Sequence, residues 1–105
     1  MREIGISRIA KLLELVTSME EDLGLDRLSA DERAMIYAIS SIASEGDDTV
    51  RSVELKQHRL CRRFSNPTFY RTLRTLLDKG FILRTGPRKT GGYQLHVPQI
   101  RQLLT

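Results

Sequence analysis

Apolar residues recur at Ile9, Leu12, Val16, Met19 and Leu23, in steps of three and four that define one stripe of a helix. Ile6 and Leu13 widen the stripe, Ser7 stands where an N-cap belongs, and Gly24 marks the end. Glu14, Glu20, Glu21 and Asp22 are expected off the stripe. A seam this long needs covering, either by the chain's own core or by a second copy. Two heptads are too short to zip alone but can join a larger interface. Residues 1–25 therefore form an N-terminal helix and candidate dimerisation element, set apart from residues 26–105.

The next segment, Ser29-Ala-Asp-Glu32, has the form of a capping box, with Ser29 as N-cap and Glu32 reaching back. Met35, Ile36, Ile39, Ile42 and Ala43 then keep the 3.6-residue period until Gly46. Thr49-Val50 offers a short strand. Ser52 opens a brief helix to about Arg59 that is expected to bury Val53, Leu55 and Leu60. In the following turn Leu60 and Phe64 are anchors, and Arg62 and Arg63 project outward. Ser65-Asn66-Pro67 is a strong start signal for a further helix, which runs to Lys79 and stops at Gly80. On a wheel of 100° per residue its inner face is Phe69, Leu73 and Leu76, with Leu77 at the edge. Its outer face is Thr68, Arg71, Thr75 and, off centre, Arg74. No carboxylate interrupts that face before Asp78.

Residues 81–85 and 93–97 are two β-rich runs around the Gly/Pro turn Gly86-Pro-Arg-Lys-Thr-Gly-Gly92, which predicts a hairpin carrying Arg88 and Lys89 at its tip. Pro98 breaks the second run and opens a short helix with Ile100, Leu103 and Leu104 inward. The predicted fold class is mainly α with a small β-hairpin, an α+β arrangement of one domain.

Charge changes this picture most. Residues 1–48 hold 5 Lys or Arg against 11 Asp or Glu, a net of −6. Residues 49–105 hold 12 against 2, a net of +10. A half-chain this basic faces a polyanion, because neutralising phosphates releases condensed counterions. Arg reads guanine bidentately in the major groove, and Thr serves phosphates or base edges. A basic hairpin tip reaches a neighbouring minor groove.

Helices followed by a basic β-hairpin are the winged helix-turn-helix order, with a two- to three-stranded antiparallel wing. The chain resembles the MarR family of transcriptional regulators in Leu28-Ser29, Glu54-Leu55, Thr68-Phe-Tyr-Arg71 and Leu76-Leu-Asp-Lys-Gly-Phe-Ile-Leu-Arg84. The match spans roughly residues 28–97. The turn between Leu55 and Thr68 is longer and more basic than the family's, and its long C-terminal helices have only a short counterpart. The resemblance implies a cytoplasmic, nucleoid-associated homodimer on palindromic duplex DNA, with the first helix in the dimer interface, and leaves a small-molecule effector undecided. The expected DNA-binding set is Arg62, Arg63, Asn66, Thr68, Tyr70, Arg71, Arg74, Thr75, Arg84, Arg88 and Lys89. The expected dimer set is Ile9, Leu12, Val16, Met19 and Leu23. Residues 26–105 are then a winged-helix DNA-binding domain. Two other functions fit the same pattern, a replication or partition initiator and a winged-helix module that docks a protein.

Catalysis is not expected. No nucleophile is spaced to a base, and no Gly-rich phosphate loop follows a strand. His58 and Cys61 are three apart, too few ligands for a closed metal site, so neither metal nor cofactor is expected. Cys61 lies among Arg59, Arg62 and Arg63, which invites a lowered thiol pKa and a redox role; half-buried packing is the plainer expectation. No apolar run reaches the length of a membrane span, no signal-peptide core is seen, and a single cysteine fits a reducing compartment.

Overall fold

The computed structural model describes residues 2–44, 49–87 and 91–96 of the 105. Helix α1 spans Arg2–Leu23, α2 Ala30–Ser44, α3 Ser52–Gln57 and α4 Asn66–Lys79. A single 3-10 turn, Leu25–Arg27, joins α1 to α2. Strands β1 (Ile82–Thr85) and β2 (Gly92–Leu95) form one antiparallel hairpin, with Ile82 opposite Leu95 and Arg84 opposite Tyr93. Val50 adds a single antiparallel bridge to Tyr93, through two backbone hydrogen bonds of 2.8 Å. The chain is thus mainly helical with a small sheet. Among the described residues no helix is long and apolar enough to cross a membrane.

Local chemistry explains most boundaries. The Ser29 hydroxyl accepts from the Glu32 amide at 3.1 Å, while the Glu32 carboxylate accepts from the Ser29 amide at 2.7 Å, which closes the capping box of α2. Ser65 caps α4 by accepting from the Thr68 amide at 3.3 Å. Gly24 and Gly80 take left-handed backbone conformations, with φ of 74° and 82°, where the chain leaves α1 and α4. Helix α1 begins before Ser7, which therefore lies inside the helix and is not its cap. Arg51, not Ser52, precedes the first turn of α3, and the Glu54 carboxylate accepts from its amide at 3.2 Å.

The core lies between α2, α3, α4 and the hairpin. Met35, Ile39, Leu55, Phe69, Leu76, Ile82, Val50 and Cys61 are fully buried there. Ile42, Ala43, Phe64 and Leu77 pack at its edge. Val53 and Leu60, expected inside, are exposed. Helix α3 is under two turns long and offers the core only Leu55. In the next turn Cys61 takes the inward position that periodicity gives to Leu60, because hydrogen bonds from the Cys61 and Arg62 amides to the His58 carbonyl tighten the backbone.

Helix α1 stands apart. Ile4, Ile6, Ile9, Leu12, Leu13, Leu15, Val16, Met19 and Leu23 are all exposed, so the chain's own core does not cover the seam. Among the described residues only its last turns touch the body. There Glu20, which points inward and not off the stripe, accepts from Tyr37 Oη at 2.6 Å and pairs with Arg33 Nε at 3.3 Å. Burial, followed by the Glu20 carboxylate, pushes the Tyr37 phenol pKa up. Arg33 also donates to the Leu28 carbonyl, so this cluster fixes the α1–α2 corner. The Gly46 helix stop, the end of the second β run at Val97, and the helix after Pro98 with Ile100, Leu103 and Leu104 lie outside the described residues.

Candidate nucleic-acid interface

Helix α4 is held by its inner face, where Phe69, Thr72, Leu73 and Leu76 are buried. That anchorage leaves Tyr70, Arg71 and Arg74 exposed, with Thr68 and Thr75 half-buried beside them. Arg71 Nη2 donates to Thr68 Oγ1 at 3.3 Å, and Thr75 Oγ1 donates to the Arg71 carbonyl at 2.9 Å. The Arg71 fork is therefore steered along the helix toward its N-terminus. Asn66 is the first helical residue and is exposed, while Ser65 alone caps.

The flanks of α4 add charge. Arg62 and Arg63 are exposed in the turn that leads into it, and the Arg63 guanidinium lies 5.7 Å from the Phe64 ring. Arg84 is exposed on β1, 5.8 Å from the Tyr93 ring of the facing strand. Lys56 Nζ sits 4.4 Å above the Tyr70 ring, and that ring meets Phe69 edge-on at 5.2 Å. Nothing in the sequence flags Lys56, because it faces Tyr70 across a turn whose path is not periodic. The expected tip residues Arg88 and Lys89 lie outside the described residues.

The surroundings of the outer face of α4 are less uniformly basic than its own sequence suggests. An open groove of about 320 Å³ separates it from the first turn of α2, lined by Asp31 and Glu32 as well as Thr68, Arg71, Thr75 and Lys79. Glu32 is nearly buried, and Lys79 Nζ neutralises it at 2.8 Å. Burial alone raises a carboxyl pKa, but the hydrogen bonds from Lys79 and Ser29 outweigh it and hold Glu32 below the ordinary carboxylate range. Asp31 makes no such ion pair among the described residues, and it lines the same groove as Arg71.

Cys61 is not the activated thiol that its arginine neighbours suggest. It is fully buried, and burial pushes its pKa up to about 11 against a smaller opposite pull from Arg63. The thiol is thus shielded from solvent and held protonated, against the redox role its neighbours suggest. His58 Nδ1 accepts from the Leu60 amide at 3.1 Å. Among the described residues no three His, Cys, Asp or Glu side chains gather to hold a metal ion. The chain matched no family model, no curated protein and no solved structure.

Proposed function

We propose that the protein is a winged helix-turn-helix regulator of transcription that binds duplex DNA sequence-specifically as a homodimer. The observation that carries this reading is the outward row of Tyr70, Arg71 and Arg74 on a helix rigidly held by Phe69, Leu73 and Leu76. Helix α4 enters the major groove, where Arg71 and Arg74 meet guanine edges and Thr68 and Thr75 meet bases or phosphates. Arg62, Arg63, Asn66 and Lys56 grip the backbone next to it. The β1–β2 hairpin is the wing, with Arg84 on its exposed side, and Arg88 and Lys89, which the sequence assigns to its turn, add to its charge. The exposed apolar residues of α1 pair two protomers, which sets two reading helices on a palindromic site. The acidic residues of α1 then lie on the side turned away from phosphate, while Asp31 stays at the edge of the reading face.

The test is binding to random duplex DNA across a range of salt concentrations. If each protomer neutralises about 4 phosphates, the dimer gives a log–log slope of roughly −7. A slope near zero, or no binding at low salt, removes the DNA reading and favours a module that docks an acidic protein.

A further inference from the structure

The reading of α1 as a dimer helix leaves its geometry open, and the sequence and structure together restrict it. On α1, Ile9, Val16 and Leu23 alternate with Leu12 and Met19 as one seam. Ile6, Leu13 and Leu15, which lie beside that seam, are as exposed as the seam itself, at 68%, 59% and 57%. Charge is segregated along the helix axis. Arg2, Arg8 and Lys11 outnumber Glu3 in the first half, and Glu14, Glu20, Glu21 and Asp22 occupy the second without a base. A parallel pair would set each acidic end against its copy and align the two helix dipoles. An antiparallel pair sets basic against acidic at both ends.

We propose that two copies of α1 pair antiparallel about a two-fold axis near residue 14, placing Arg8 of each protomer opposite the partner's Asp22. Knobs-into-holes layers of an antiparallel pair fix the rest of the register. Ile9 meets the partner's Met19, and Leu12 meets the partner's Val16. Leu13 and Leu15 each face their own copy, one on either side of the axis, which accounts for apolar residues off the main seam.

Two features of the single chain fit this register independently. Val16, Met19, Leu23, Leu25 and Tyr37 line an apolar hollow of about 300 Å³ where α1 meets the body. The register delivers the partner's Ile6 and the partner's Ile9 to it. The Glu20 carboxylate at its rim is already held by Arg33 and Tyr37, so no unpaired charge is buried. Gly5 is the second feature. A Cβ there would meet nothing within 4 Å, so the chain itself does not call for glycine inside a helix. In the pair Gly5 falls opposite the partner's Leu23, where the partner's body closes on the helix. The two Leu23 positions lie about 27 Å apart along the axis. That spacing lets the two bodies approach sites separated by roughly one DNA turn, ~34 Å.

Charge reversal tests the register, read as the dimer dissociation constant by analytical ultracentrifugation. Arg8 and Asp22 are exposed, so their variants keep the fold. Arg8→Glu and Asp22→Arg should each weaken the dimer about tenfold, since each reverses two symmetric pairs. The double variant Arg8→Glu/Asp22→Arg should return close to the wild-type value. A parallel pair gives no such rescue, because the two positions are about 21 Å apart along a helix. A second measurement mixes Arg8→Cys with Asp22→Cys protein and follows disulfide formation, with Cys61 buried and inert. A crosslinked heterodimer supports the register. Absence of rescue and of crosslink overturns the antiparallel pairing while leaving a homodimer and its DNA binding intact. A monomeric wild type at high micromolar concentration overturns both the pairing and the homodimer. Loss of DNA binding with the rescue intact removes the proposed function and leaves the pairing standing.

Discussion

At Cys61 direction decides chemistry. Three arginines lie within two residues of it in the chain, yet the thiol points into the core and Arg62 and Arg63 point out. Burial therefore dominates, and the pKa rises from 9.0 to about 11. Alkylation by a maleimide at pH 8 should be about a hundredfold slower than for an exposed cysteine, because only the thiolate reacts. Rapid labelling of the folded protein would show that the core opens there. The raised pKa also fixes the sign of an alkaline effect. Stability from keeping Cys61 neutral is intact below about pH 9 and is lost as pH climbs toward 11, so a Cys61→Ala variant should show a shallower alkaline decline. Arg71 and Asp31 make the second residue-scale prediction. If α4 reads DNA, Arg71→Ala should cost about 1–3 kcal/mol of binding and relax one base position. Asp31→Asn should strengthen binding, since it removes a carboxylate from the groove that Arg71 lines. Titrations against a randomised operator library report both effects. Equal losses for the two variants would show that the groove does not face phosphate.

Helices α2 and α4 meet through Glu32, which caps its own helix and holds Lys79 from the other. Glu32→Ala removes both contacts and should cost about 1–2 kcal/mol, measured as a lower urea midpoint at neutral pH. The acid branch has the opposite sign from that of Cys61. Folding holds the Glu32 pKa down, so its contribution is present above the ordinary carboxylate range and is lost as pH falls through the lowered pKa. Glu32→Gln should flatten that loss. The half of this arrangement that depends on neighbours three residues apart was legible in the sequence, as were the Ser65 start and Gly80 end of α4. Such signals are hydrogen bonds and backbone preferences closed within one turn. The Lys79 contact spans 47 residues and left no local trace. The same limit explains Val53 and Leu60. Apolar periodicity assigns a face only when a helix has enough turns to define one, and α3 has six residues. The outer face of α4 was legible for the converse reason, since fourteen residues define its inner side and so fix the outer one. Lys56 and Asp31 belong to other elements, and their places beside α4 depended on the packing.

On the scale of the whole molecule, α1 carries nine exposed large apolar residues along one helix. Isolated apolar side chains on a surface need no explanation, but a contiguous row of this length marks an interaction surface. Among the described residues its contacts with the body gather at the corner made by Glu20, Arg33, Tyr37 and the hollow around Leu23 and Leu25. Ile9 and Leu12 lie beyond that corner, 59% and 62% exposed, and neither belongs to the core cluster. If α1 pairs two protomers, Ile9→Glu/Leu12→Glu should leave the thermal transition of the α2–α4 body nearly unchanged while halving the mass measured by light scattering. The DNA consequence follows from counting phosphates. A monomer that retains α4 and the hairpin keeps its own phosphate contacts and loses those of its partner, so the log–log salt slope should fall from roughly −7 to about −3.5. Selectivity for a palindrome over its half-site should disappear with it. An unchanged slope in a demonstrated monomer would mean that one protomer makes all the phosphate contacts, and α1 would then be a surface for some other partner.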